Sequence, residues 1–136
     1  MYFLDTNTVI HFNKRNRPHL ERRMIKAIDT GVAMFISPIV RLELEVGVIR
    51  SSRPVAARKV LDIFISLISG IPPFESQDAE LAARIRADLM WQGQAIGAFD
   101  LLIAAQAVRM GAAIVTNNSR EFSRVPGLKR EDWTLP

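Results

Sequence analysis

With 136 residues, 49% of them hydrophobic, the chain has enough material for one domain and one core, and its mixed charges argue against disorder. It has no cysteine, which excludes a disulfide framework and any thiolate metal site. The net charge of +4 favours a polyanionic partner such as RNA or DNA, and Lys14, Arg15, Arg17, Arg22, Arg23 and Lys26 concentrate that charge in one early segment.

Taken in order, Tyr2–Leu4 reads as the start of a buried strand, and Val9 and Ile10 share that character. Pro18 opens a helix that runs to about Asp29, with Leu20, Met24, Ile25 and Ile28 as its apolar stripe. Val32–Ile36 is uninterrupted apolar sequence, the pattern of a strand buried on both faces. Ser37-Pro38 supplies an N-cap and first residue for a helix reaching Arg50, and a second helix from Pro54 toward Gly70 pairs with it as a hairpin. Ile71-Pro72-Pro73-Phe74 predicts a short extended edge segment.

An amphipathic helix follows over Gln77–Trp91, then an apolar helix from Asp100 to Met110 closed by Gly111. Ala112–Val115 is another apolar strand, broken by Thr116-Asn117-Asn118, and a last short strand is expected around Trp133–Leu135. Strands alternating with helices predict an α/β sandwich on a mainly parallel central sheet, in one domain spanning residues 1–136. The apolar run Val60–Ile68 is interrupted by Asp62 and Ser66 and is too short to span a bilayer. With no secretory signal pattern ahead of the first strand, a cytoplasmic location is expected.

Four acids carry the chemistry. Asp5 follows a core strand directly, where burying a carboxylate costs several kcal/mol unless its charge is compensated. On a helical projection Glu43 shares a face with Ile39, Val40, Val46 and Gly47, whereas Arg41 and Glu45 form an ordinary pair on the opposite side. Asp100 heads an apolar helix, a position that suits an N-cap and also aims a carboxylate into a cleft. Glu121 lies just past the strand Ala112–Val115, and a surface pairing with Arg120 or Arg124 would also account for it.

Parallel α/β sheets bind ligands beyond the carboxyl ends of their strands, so all four acids are placed to share one edge. Gathered in one cleft they repel, by about 4 kcal/mol for a pair at 4 Å in an effective dielectric of 20. Shared protons or a divalent cation must offset this, and an all-oxygen ligand set selects Mg²⁺ or Mn²⁺. Such a metal beside a basic surface is an arrangement for cleaving phosphodiesters, in which it polarises the phosphate and activates water for in-line attack.

Four segments, FLDTN, SPIVRLELEVG, IGAFDLLIAAQA and VTNNSREFSRVPGL, resemble in order and spacing the PIN-domain ribonucleases, and among them the VapC toxins of bacterial VapBC toxin–antitoxin pairs. The resemblance implies a three-layer α/β/α PIN fold and an acidic Mg²⁺ site in which Asp5 and Asp100 match the principal metal-binding acids. Glu43 matches the acid of the second segment, and Glu121 the last acid, more often Asp in that family. Thr6, Asn7 and Thr116 match the polar residues that orient those acids, and Asn118 matches a position often polar in relatives. It also implies homodimers, an RNA substrate such as tRNA, and inhibition by a small VapB-type antitoxin, for which apolar helices such as Val55–Ile68 offer a surface.

Two rival readings follow from the same residues. An aspartyl-phosphate phosphotransferase or phosphatase would use Asp5 as nucleophile, but usually carries a second acid two residues on, where this chain has Asn7. A catalytically silent nucleic-acid-binding or protein-interaction module would use the acids only for capping and pairing.

Overall fold

Tyr2–Leu4 forms β1, and the chain then turns at once into helix α1, Thr6–Lys14, in a computed structural model that describes residues 1–136. The Asp5 side chain makes that turn by accepting a hydrogen bond from the backbone N–H of Thr8, three residues on, as an N-cap does. Val9 and Ile10 therefore belong to a helix and not to a strand; Val9 is buried on its inner face. Arg15, with φ of 52°, ends α1 in the left-handed region.

The remaining helices start largely where prolines and small polar residues place them: α2 at Pro18–Asp29, α3 at Pro38–Ile49 and α4 at Pro54–Leu67. Ser37 caps α3 by accepting from the N–H of Ile39. Helices α5, Ser76–Trp91, and α6, Ala98–Arg109, pack against each other, and α7 is the short Ser119–Phe122. Helix α6 begins two residues before Asp100: Gly97 is its N-cap, and Asp100 is the third residue of the first turn. Along α3 the buried stripe is Val40, Leu44 and Val48, while Val46 and Gly47 are exposed. The face of α3 that carries Glu43 is thus the wall of a groove toward α4, and not the core.

Strands β2, Met34–Phe35, β3, Ala113–Val115, and β4, Arg130–Glu131, complete an all-parallel sheet with the order β2-β1-β3-β4. Phe3 pairs with Phe35 on one side and with Ile114 on the other. The apolar Val32–Ile36 yields only a two-residue edge strand, whose outer side is covered by the chain at Ser69 and Gly70: Ser69 N–H donates to the Met34 carbonyl at 2.7 Å. Ile71–Phe74 adds no strand. Pro72 and Pro73 have no N–H to offer a ladder, and their carbonyls instead accept from the buried Gln106 side chain at 2.9 and 3.3 Å.

The final strand precedes the residues predicted for it. Trp133 leaves the ladder to bury its ring edge-on against Tyr2, 4.9 Å between centroids, while Asp132 accepts from the Thr134 N–H and turns the chain. The core fills both sides of β1 and β3, with Phe3, Leu4, Ile114 and Val115 against Ile103, Ala104 and Ala107 of α6 and the inner faces of the other helices. From β1 the chain crosses to β2 on one side, while β3 lies on the other, so the crevice at the carboxyl ends of β1 and β3 is the switch point of the sheet.

Candidate active site

Asp5 occupies that switch point. Its N–H donates to the Val115 carbonyl at 3.1 Å, which continues the β1–β3 ladder for one more step and fixes the backbone beneath the side chain. The carboxylate is 5% exposed and both of its oxygens are held, Oδ1 by the Thr8 N–H at 2.8 Å and Oδ2 by the Thr116 hydroxyl. Burial pushes this carboxyl above its usual range, and the hydrogen bonds from Thr116 and Thr8 act against that shift.

The other acids arrive from separate elements. Glu43, on the second turn of α3, accepts from the Thr6 hydroxyl at 2.7 Å, so the first residue of α1 steers it toward the crevice. Glu121, in α7, accepts from the Gly97 backbone N–H and from Asn118 Nδ2 at 2.9 Å, and these bonds hold its carboxyl below the usual range. Asp100 lies beside it. Burial, followed by the charges and hydrogen bonding of Glu121 and the charges of Asp5 and Glu43, pushes the Asp100 carboxyl up to about 7. The four carboxylates therefore share one field, which together with burial favours the protonated form of Asp100.

Of the polar residues predicted to orient the acids, Thr6, Thr116 and Asn118 each donate a hydrogen bond to one of them. Asn7 is exposed, and the acids take their hydrogen bonds from other residues. Glu45, separated from Glu43 on the projection, pairs with Arg41 at 3.4 Å and with Arg58.

Two contributors, Thr8 and Gly97, escaped the sequence reading, and Lys14 of the basic segment reaches the site as well. Thr8 was legible as the N3 partner of an Asp cap, had the helix after Asp5 been recognised. Gly97 donates to Glu121, and a Cβ there would stand 3.4 Å from Glu121 Oε1 and 3.6 Å from Asp100 Oδ2. Lys14, from the last turn of α1, lines a cavity of about 280 Å³ together with Glu43, Leu44 and Val60. In the rest of the basic segment, Arg15 pairs with Glu21 at 3.9 Å, and Arg23 pairs with Glu131 at 3.1 Å and lies over the Trp133 ring.

No three acids are drawn into a ready-made metal cage. The donor set nonetheless fits a hard divalent cation: it is all oxygen, and burial together with the charges of Glu121, Asp5 and Glu43 raises Asp100 to about 7, a charge burden that a cation would relieve.

The PIN domain family model matches residues 2–128. The chain belongs to the PIN-domain family. Its relatives there are VapC proteins: the tRNA(fMet)-specific endonuclease VapC of Shigella flexneri is 38% identical over 133 residues, 98% of each chain. Ribonuclease VapC2 of Rickettsia felis is 36% identical over 134 residues, again 98% of each chain. Among solved structures, VapBC2 from Rickettsia felis bound to a promoter DNA fragment superposes with a TM-score of 0.89 at 32% identity, covering 97% of this chain and 98% of that one. DNA-bound VapBC from Salmonella typhimurium gives 0.88 at 36% identity, with 97% of each chain covered. PIN-domain nucleases are in general dependent on a divalent metal, which agrees with the donor set of this crevice.

Proposed function

We propose that this chain is the endoribonuclease toxin of a type II toxin–antitoxin pair, a single-domain Mg²⁺-dependent enzyme of the cytoplasm that hydrolyses phosphodiester bonds in tRNA. The observation that carries the reading is the shared field of Asp5, Glu43, Asp100 and Glu121 at the switch point of the sheet, where burial and the neighbouring carboxylates together push Asp100 up to about 7. The VapC names of relatives at 36–38% identity support it, and the Shigella relative's name supports tRNA as the substrate.

Asp5 and Asp100 would hold the cation, with Glu43 and Glu121 completing its surroundings, and a bound Mg²⁺ would supply positive charge to the phosphate and to the attacking water. Mn²⁺ meets the same oxygen donors. The chain's own work is orientation and charge. Thr116 and Thr8 fix Asp5, Thr6 fixes Glu43, and Gly97 with Asn118 fixes Glu121. Lys14, at the edge of the crevice, offers a cation to the RNA backbone.

The exposed side chains Ile49, Val55, Val60, Ile63 and Leu67 on α3 and α4 offer an apolar surface for a VapB-type antitoxin or for a second copy of the chain in a homodimer. Solved VapBC complexes among the structural relatives support an antitoxin partner. Incubation of the purified, antitoxin-free protein with total tRNA, in Mg²⁺ or EDTA, tests the reading when the cut ends are mapped. Discrete cuts bearing a 5′-phosphate and a 3′-hydroxyl, made only with metal, are the expected outcome. Metal-independent cutting that leaves cyclic phosphates would reject it.

A further inference from the structure

Helix α6 is the most buried helix of the fold: Leu101, Ile103, Ala104, Ala105, Gln106 and Ala107 all lie in the core. Phe99, in its first turn, is the one large apolar residue of this helix that is exposed. The ring is 44% exposed although its neighbour Asp100 points into the acidic crevice. Leaving apolar area in water costs about 25 cal/mol per Å², so the fold gains nothing by keeping an aromatic ring there.

The place of the ring supplies a reason. Phe99 and Ala98 form the apolar part of a cavity of about 300 Å³ whose remaining lining is Glu43, Gly97 and Asp100. The two acids in that lining belong to the set that would hold the divalent cation, which would meet the scissile phosphate. The nearby cations stand outside it: Lys14 lines the adjoining cavity on the far side of Glu43, and the Arg124 guanidinium is tied to the Ala95 carbonyl. With the phosphate taken by that divalent cation, the lining leaves one surface for the neighbouring nucleotide, the flat Phe99 ring, on which a base can stack. A base can reach it only if unpaired, because a paired base is enclosed in its duplex.

We infer that Phe99 is a specificity-determining residue, the platform on which an unpaired base next to the scissile phosphodiester stacks. The inference rests on the nuclease reading of the acidic crevice. Because stacking is made in the ground state as well as in the transition state, its loss appears in KM more than in kcat.

The test compares the wild type, Phe99→Ala and Phe99→Tyr in Mg²⁺ on short RNAs spanning a mapped cut, with each flanking nucleotide in turn replaced by an abasic ribose. At one flanking position, base removal should lower kcat/KM of the wild type by about 5- to 150-fold, the range that base–aromatic stacking gives. Phe99→Ala should show that loss on the intact RNA, mainly as a raised KM, and should respond to the same abasic position by no more than about twofold. Phe99→Tyr, which keeps the ring, should behave as the wild type. Thermal melting and sedimentation of the three proteins accompany the kinetics.

If base removal costs the wild type and Phe99→Ala equally, the inference is overturned. It is likewise overturned if Phe99→Ala changes the oligomeric state while keeping the wild-type response to base removal, since the ring then serves a protein contact. A wild type that cuts none of these RNAs in Mg²⁺ or Mn²⁺ removes the nuclease reading itself, and the inference with it.

Discussion

Asp100 shows how a functional side chain works against the stability of its own fold. Its carboxyl, pushed to about 7, binds a proton in the folded protein over a range where the unfolded chain, at about 3.9, has released it. With more protons bound in the folded state, metal-free stability falls as pH rises from about 4 to about 7 and levels off above. Asp100→Asn removes the charge with little change of volume. The variant should melt higher than the metal-free wild type at pH 8 by a few degrees, and that gap should close as the pH approaches 4. A series of melting curves in EDTA reads this directly, and a gap independent of pH would remove the electrostatic explanation. The same variant should lose RNA cleavage. Asp5 differs: it is buried as deeply as a core residue, yet two donors meet its oxygens, so its position is fixed before any ligand arrives.

At the scale of elements, the acids owe their meeting to short, well-capped starts of structure. β1 is three residues long, and Asp5 both ends it and caps α1. Asp100 and Glu121 are brought together by Gly97, which caps α6 and donates to Glu121 from the same backbone position. The α5–α6 pair that carries Asp100 is tied at its other end by Asp78, fully buried, which Arg109 grips through two of its nitrogens. Arg109→Ala leaves that carboxylate buried without its cation and should destabilise the fold by about 3–5 kcal/mol in urea denaturation. Asp78→Asn in the same background should recover part of the loss.

Proline and glycine punctuation made α2, α3, α4 and the end of α6 readable from the sequence within a residue or two. Helix α1 was not readable in that way, because TNTVIHFNK has no proline at its start and its apolar Val9-Ile10 pair mimics a strand. β4 was misplaced because Trp133 packs on Tyr2 as a core ring would, without extending the ladder. The convergence of the four acids was legible because a parallel sheet brings the segments that follow different strands to one edge, although only Asp5 directly ends a strand. The donors that hold them were only partly so, since a backbone N–H such as that of Gly97 leaves no mark in the sequence.

Over the whole molecule, a parallel four-stranded sheet with its switch point between β1 and β3 carries one acidic crevice, and the net charge of the chain is +4. Locally negative and globally positive, such a protein attracts RNA over a distance and still needs a cation where the phosphate is to be cut. No helix is long and apolar enough to cross a membrane. The central claim is that the acids serve a divalent cation for phosphodiester hydrolysis, and Asp5→Asn tests it most directly. Its cleavage rate on total tRNA in Mg²⁺ is measured beside that of the wild type, with melting curves of both in EDTA as a check on folding. The account predicts a folded variant whose rate falls by at least about a hundred-fold, the scale of losing a principal electrostatic group at a reacting centre. A folded Asp5→Asn protein that cuts tRNA at the wild-type rate would contradict it.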